Sequence, residues 1–430
     1  MTIKFISQNF NISLHNKSFY GEIPTDYSLI SNMFSLIPEN FFYDPNKTWL
    51  DPCCGQGYFA IFLYNKLFHC LSKVFPDEIE RKKHILHNMI YQIEYNYEHI
   101  PHLYSVFGED ANILCCDYLK TRDIGKFDFI IGNPPFNVGG KIKTPCLKNF
   151  NKKKDGKRAW DLFVRKSVKY LNDKGFLLFI TPSIWMKKNN YFHEYMTQFN
   201  ICRLHTLNNT QSNYIFHGNA QTPTSYYLLQ VSGDKGGGVT NVYDENVQKY
   251  IKWKKSYGTI PVYAQLDFLK CIQKIQEKRK NVKRTGKIVK ILSDYTKKTN
   301  MPSKKIKFFK KKLEESFLHP LHKSIRSIKK GNKLDITYSD LPCVFYGVEK
   351  LIFTNGYVFH DISGMYGISN RDIYVISGLK REKLVEIKEK LLESKLLKKV
   401  YDQKNIFPPY SGMRFRMGYL EKDYFEYVLI

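Results

Sequence analysis

Apolar residues near the start of the chain recur at helical spacing. Leu29, Ile30, Met33, Phe34 and Ile37 lie three and four apart, which predicts a packing helix with Thr25 or Asp26 as its N-cap. Beyond it, short continuous apolar runs alternate with helical stretches. Thr48-Trp49-Leu50 reads as a strand ending at Asp51, residues 60–90 read as helix, and Met89–Glu94 reads as a second strand closing on a carboxylate. Ile113–Tyr118 is a third strand containing Asp117, Lys126–Ile131 a fourth, and Lys174–Pro182 a fifth, central one; Asn213–Gly218 and Tyr226–Leu229 are assigned to the last strands. Strands alternating with helices predict an open α/β sheet, whose ligands bind beyond the carboxyl ends of the strands.

The pattern changes after Ser232-Gly233-Asp234-Lys235-Gly236-Gly237-Gly238, a hairpin turn or the start of a linker. The expected organisation is a first domain over 1–235, a linker over 236–265 and a second domain over 266–430. In the second domain residues 341–378 look strand-rich, with turns at Tyr346-Gly347, Asn355-Gly356 and Ser363-Gly364. Residues 381–400 form an amphipathic helix with Leu384, Ile387, Leu391 and Val400 on or near its packing face.

Charge sharpens this division. The formal net charge is +27 and the pI about 9.5, and residues 270–333 hold 22 Lys/Arg against four Asp/Glu, so about +18 of it falls in that block. A concentrated basic segment fits a polyanion. A membrane surface is the weaker alternative, because neither a lipidation signal nor an apolar run of 18 residues is present. Met1-Thr2-Ile3-Lys4-Phe5 carries no secretory signal, and the nine cysteines are scattered without a C-x-x-C pair, so the expectation is an intracellular protein without a structural metal.

Two stretches carry candidate chemistry. In Asp51-Pro52-Cys53-Cys54-Gly55-Gln56-Gly57, the glycines let backbone approach a ligand, and the following helix start suits an anionic group. It is neither the dinucleotide G-x-G-x-x-G fingerprint nor a Walker A loop. Glu94, at the end of the second strand, suits a ribose hydroxyl pair or simply solvent. In Gly132-Asn133-Pro134-Pro135-Phe136-Asn137, two prolines stop the fourth strand in a rigid turn. That corner suits methylation of an exocyclic amine, a poor nucleophile because its lone pair is delocalised. The Asn133 side-chain oxygen and the Pro134 carbonyl can each accept one of its N–H bonds, and Phe136 offers a stacking surface.

In this order the motifs resemble those of S-adenosylmethionine-dependent DNA adenine-N6 methyltransferases of the gamma-class arrangement, with cofactor motif first, catalytic motif second and recognition region last. The resemblance spans about residues 20–230. It implies a Rossmann-like methyltransferase sheet with a C-terminal α+β target-recognition domain, S-adenosyl-L-methionine as cofactor, and double-stranded DNA as substrate. It also implies cofactor contacts from Thr25, Asp51, Pro52, Cys53, Gly55, Gly57, Glu94, Asp117 and Phe163. Asn133, Pro134, Pro135 and Phe136 match the catalytic corner, and Phe136 with Phe216 match aromatics that hold a flipped-out base. Ordinary core packing is the alternative for Phe163 and Phe216, and a solvated acid for Asp117. Phe136 stands where Tyr is commoner and Cys53 where Ala often stands; a ring and a small side chain are kept. No thiol nucleophile and no metal is required.

The lysine-rich stretch from Val138 to Trp160 follows the corner and suits either solvent or phosphate, and Arg371, Arg414 and Arg416 are candidate base readers. RNA-base methylation and protein-glutamine N5-methylation share the Asn-Pro-Pro corner; the basic C-terminal region favours nucleic acid, and the motif order favours DNA. A non-catalytic binding module is expected to have lost Asn133 or the glycine loop, and both remain. A separate restriction endonuclease is a possible companion, with a monomer as the default assembly.

Overall fold

The computed structural model describes residues 3, 23–137, 158–186, 190–220, 222–231, 238–245, 247–255, 260 and 266, then 296–298, 309–310, 319–324, 335–339, 342, 345–354, 357–368 and 374–393. The chain divides into two compact units, Met1–Gln265 and Leu266–Ile430.

The first unit runs α1 (Tyr27–Phe34), β1 (Trp49–Asp51), α2 (Tyr58–Cys70), α3 (Glu78–His84), β2 (Ile90–Glu94), α4 (Ile100–Phe107), β3 (Asn112–Cys115) and β4 (Phe127–Gly132). It continues with α5 (Trp160–Lys169), β5 (Leu171–Pro182), α6 (His193–Thr197), β6 (Asn200–Leu207), α7 (Asn209–Ile215), β7 (Thr224–Gln230), β8 (Val239–Asp244) and β9 (Lys249–Lys254). One nine-stranded sheet takes the order β3-β2-β1-β4-β5-β7-β6-β8-β9. Strands β1 to β5 pair in parallel, and β7 inserts antiparallel between β5 and β6. This is the expected Rossmann-like α/β sheet. Its winding reverses at β1, which has β2 on one side and β4 on the other; such a switch point leaves a crevice at the carboxyl ends.

Aromatic packing fixes the register at that centre. The Trp49 indole lies between Phe42, with centroids 5.5 Å apart, and its cross-strand partner Phe129, at 3.9 Å. Phe129 in turn stacks at 5.2 Å on Phe176, its partner on β5. Each such pair contributes about 0.5–1.5 kcal/mol beyond its buried area, so the strands that end in Asp51 and Gly132 are held in step.

Two expectations are corrected. Asn209–Ile215 is a helix, not a strand: the Asn208 side chain accepts from the Gln211 backbone while the Gln211 side chain accepts from the Asn208 backbone. That reciprocal capping box outweighs the apolar content that suggested a strand. Residues 239–254, expected in a linker, extend the sheet as β8 and β9, with β8 parallel to β6 and antiparallel to β9. Alternation decides it, because Ile251 and Trp253 face inward between exposed Tyr250, Lys252 and Lys254.

The second unit contains β10 (Thr296–Lys298), β11 (Phe309–Lys310), β12 (His319–Ser324), β13 (Asp335–Ser339), β14 (Lys350–Thr354), β15 (Tyr357–Asp361), β16 (Gly367–Ile368), β17 (Tyr374–Ser377) and α8 (Arg381–Glu393). They form two four-stranded sheets, β10-β17-β14-β15 and β11-β13-β12-β16. Leu384 and Ile387 of α8 are buried and the helix packs on β14 and β15, as its apolar stripe predicts; Val400 lies outside the described residues. Beneath the β14–β15 hairpin, Lys350 Nζ lies 2.5 Å from Asp361 Oδ2, and both side chains are buried. Asp361 also accepts from Ser363 Oγ and from the Met365 and Tyr366 amides. Most of the basic block 270–333, with Arg371, Arg414 and Arg416, falls outside the described residues. Among the described residues, no helix is long and apolar enough to cross a membrane.

Candidate active site

The carboxyl ends of β1, β2 and β4 converge on a cavity of about 230 Å³. Thr25, Pro52, Cys53, Gly55, Glu94, Asp117, Asn133, Pro135 and Phe163 line it, so nine of the residues singled out from sequence meet at one site although 138 positions separate the first from the last.

On the cofactor-like side, the chain leaves β1 at Asp51 and enters α2 through the glycine loop. Gly57 is the N-cap of α2 with φ +81°, and a Cβ there would lie 2.8 Å from the Phe107 ring and 2.9 Å from Leu103 Cδ2. Gly57 is therefore required by conformation and by α4 packing, and does not itself line the cavity. The loop is tied to β2: the Cys54 amide donates to the Ile93 carbonyl at 3.1 Å, and the Gly55 amide to Glu94 Oε2 at 2.6 Å. Glu94 Oε1 accepts from the Asn96 amide at 2.7 Å. Each carboxylate oxygen keeps further acceptor capacity at the cavity wall. Asp117 sits in the turn after β3, where Oδ1 accepts from the Leu119 amide at 2.9 Å and Oδ2 lies 3.3 Å from Lys120 Nζ. Phe163 packs on Tyr118 at 5.5 Å, and both line the cavity.

Asp51 stands behind this wall rather than on it. It is 3% exposed; Oδ1 accepts from the Cys53 amide at 3.1 Å, while Oδ2 has no hydrogen-bond partner among the described residues. Burial, with a smaller push from the Glu94 charge, raises its carboxyl to about 8. Burial also drives the Cys53 and Cys54 thiols well up, so neither is a thiolate nucleophile at neutral pH.

On the corner side, β4 ends at Gly132 with φ +150°, and a Cβ there would stand 2.9 Å from Asp51 Oδ1. Only glycine lets the two strand ends approach in this way. The next residue is Asn133, whose Nδ2 donates to Thr25 Oγ1 at 3.0 Å and to the Ile23 carbonyl at 3.5 Å. With its donor engaged, the amide has Oδ1 left, which accepts no hydrogen bond from the described residues, and Asn133 lines the cavity. Asp26, not Thr25, caps α1, accepting from the Ser28 amide at 2.7 Å.

The two-ring clamp is not formed in this structure. Phe216 is 0% exposed and belongs to the core, meeting the half-buried Phe136 edge to face with centroids 6.1 Å apart. No room for a base remains between them, and neither ring lines the cavity, nor does buried Pro134. Phe216 thus supports Phe136 from behind. At the far end of the lysine-rich loop, Arg158 pairs with Asn137 in a β-bridge and lays its guanidinium over Tyr191, 4.2 Å from the ring centroid. Lys141, Lys143, Lys148, Lys152, Lys153, Lys154 and Lys157 fall outside the described residues. Tyr95 and His99 also line the cavity and were not singled out from sequence; their one signal is that they closely follow Glu94. Among the described residues, no cluster of three His, Cys, Asp or Glu side chains is arranged to hold a metal.

Residues 27–216 match the family model of the Eco57I restriction-modification methylase. This covers α1, the glycine loop, Glu94, Asp117 and the Asn133 corner, and ends at Phe216. A relative from Mycoplasma pneumoniae (strain ATCC 29342 / M129 / Subtype 1), described as an uncharacterized adenine-specific methylase, is 23% identical over 247 residues, 56% of this chain and 54% of its own. The chain therefore spans about half the length of that relative. Among solved structures, the type I restriction enzyme EcoKI M protein is 16% identical, with a TM-score of 0.36 and 50% of each chain covered. A nuclease-deletion mutant of the Type ISP restriction-modification enzyme LlaGI, in complex with a DNA substrate mimic, is 14% identical, with a TM-score of 0.41, 54% of this chain and 24% of that chain covered.

Proposed function

We propose that the chain is an S-adenosylmethionine-dependent DNA methyltransferase that modifies the N6 amine of an adenine extruded from the duplex. The observation that carries this reading is the Asn133 amide, fixed through Nδ2 at the end of β4 with Oδ1 presented beside a cavity that Gly55 and Glu94 also line. The family match over this same segment supports it.

The residues present fit the cofactor. Glu94 is held by two backbone amides in a fixed orientation and has acceptor capacity left for a ribose hydroxyl pair. Asp117 and Phe163 offer an acceptor and an apolar face for the adenine. When bound, S-adenosylmethionine would supply an electrophilic methyl carbon, with its sulfonium sulfur as the leaving thioether. Asn133 Oδ1 accepts one of the amine N–H bonds, favouring a nitrogen nearer tetrahedral with an available lone pair. The product ammonium then loses its proton to solvent. Catalysis here is orientation and polarisation, with no covalent enzyme intermediate.

In this reading the unit from Leu266 onward is the target-recognition domain. Its lysine-rich sequence supplies salt-dependent phosphate affinity. A single copy acts on duplex DNA, and a separate restriction endonuclease is its companion.

The test is transfer of labelled methyl from S-adenosylmethionine to duplex DNA, duplex RNA and protein extract by the native chain and by Asn133→Ala. The expected result is N6-methyladenine in DNA, reduced at least about 100-fold by the substitution. Label in RNA or on glutamine, with DNA unlabelled, overturns the DNA assignment.

A further inference from the structure

Thr25 was expected to contact the cofactor. We infer that Thr25 is instead the positioning residue for the catalytic amide: it determines which end of the Asn133 side chain faces the substrate, and so deepens the methyltransfer reading on which it rests.

Three observations carry this. Thr25 Oγ1 accepts from Asn133 Nδ2 at 3.0 Å, within the ordinary range for such a bond. The Thr25 side chain is buried, so water does not readily replace it as acceptor. The second acceptor, the Ile23 carbonyl, lies at 3.5 Å, at the weak limit of a hydrogen bond, so Oγ1 is the stronger of the two contacts.

The chemical need is specific. A primary amide is nearly symmetric in shape, and rotating it by half a turn exchanges an acceptor for a donor. Polarising an amine requires the acceptor; the flipped amide would set N–H against N–H. Valine in place of Thr25 keeps the shape but removes the acceptor, leaving the amide weakly biased between two orientations. Serine keeps the hydroxyl and loses only a methyl group.

This role differs from a cofactor contact in its kinetic signature. Positioning acts on the reacting nitrogen, so its loss lowers kcat and leaves the KM for cofactor nearly unchanged; a lost cofactor contact raises KM with kcat kept.

The experiment uses the full chain as wild type, Thr25→Val and Thr25→Ser, with labelled S-adenosylmethionine and unmodified bacterial genomic DNA. Expected are a kcat about 10–100-fold lower for Thr25→Val, a KM for cofactor within about twofold of wild type, and recovery to within about threefold in Thr25→Ser. A rise in KM at unchanged kcat overturns the inference, as does loss of kcat in both variants alike. A second measurement reads the bond without activity. In protein labelled with ¹⁵N-asparagine, the Asn133 side-chain NH2 resonances, assigned by their disappearance in Asn133→Ala, move and exchange faster with solvent in Thr25→Val but not in Thr25→Ser. Resonances unchanged in Thr25→Val overturn it even if the wild type transfers no methyl to DNA, an outcome that by itself would overturn the methyltransfer reading alone.

Discussion

Two aspartates, one in each unit, are buried to nearly the same extent and serve opposite ends. Asp361, 1% exposed, accepts from a lysine ammonium, a serine hydroxyl and two backbone amides. Asp51, 3% exposed, accepts from one backbone amide and has a second oxygen without a partner among the described residues. A buried charge that is fully matched ties two paired strands and the turn after them together and has nothing left to offer a ligand. A buried carboxyl left half-matched holds its proton instead of its charge and keeps an unsatisfied oxygen. Glu94 lies between these cases, oriented by two amides and still open at the cavity wall.

The sharpest way to break this comparison is Asp361→Ala. It leaves the Lys350 ammonium buried and unpaired, and urea unfolding is expected to register a loss of about 3–5 kcal/mol. A loss below about 1 kcal/mol would mean that the pair is not the anchor described. Next comes Glu94→Gln. Replacing a carboxylate by an amide weakens charge-assisted hydrogen bonds by about 1.5–3 kcal/mol, so calorimetric titration with S-adenosylmethionine is expected to show a Kd raised about 10–100-fold. Equal affinity would remove Glu94 from the ribose role.

The pH dependence of Asp51 is the most diagnostic test. Burial raises the Asp51 carboxyl from an ordinary 3.8 to about 8. As pH rises, the unfolded chain therefore gives up this proton first, and ionisation favours the unfolded state. The resulting penalty is absent below about pH 4, grows through the interval, and is complete above about pH 8. Asp51→Asn cannot ionise and escapes it. Its Tm advantage over wild type is expected to widen steadily from pH 4 to pH 8. A constant difference across that range would show that Asp51 is matched in solution as Asp361 is.

Much of the first unit was legible because its signals are local. Apolar runs marked β1 to β5, and Gly132 to Phe136 announced a strand end with an amide beside it. What escaped depends on contacts distant in sequence. The partner of the Asn133 amide lies 108 residues upstream, and nothing in either segment names the other. Phe216 was selected for its ring, but whether a ring faces a cavity or the core is decided by what packs around it, here Phe136 from one side. At β9 the two-residue alternation is only six residues long and follows a glycine run that signals a turn. At Asn209–Ile215 the helix rests on the reciprocal Asn208 and Gln211 caps, and its sequence has no apolar periodicity to mark it.

The Thr25–Asn133 bond also bears on the order of events as the chain folds. Closing a loop of this length carries an entropic cost that neighbouring strands do not repay until they have paired. The segment bearing Thr25 precedes β4 in the chain, and its contact with Asn133 requires β4 and the Gly132 turn to be in place. In the proposed reading, the orientation of the Asn133 amide is thus set by a contact of high sequence separation. A chain that has formed its central sheet, while its N-terminal segment still lies away from the Gly132 turn, has the native sheet and an Asn133 amide that nothing yet orients.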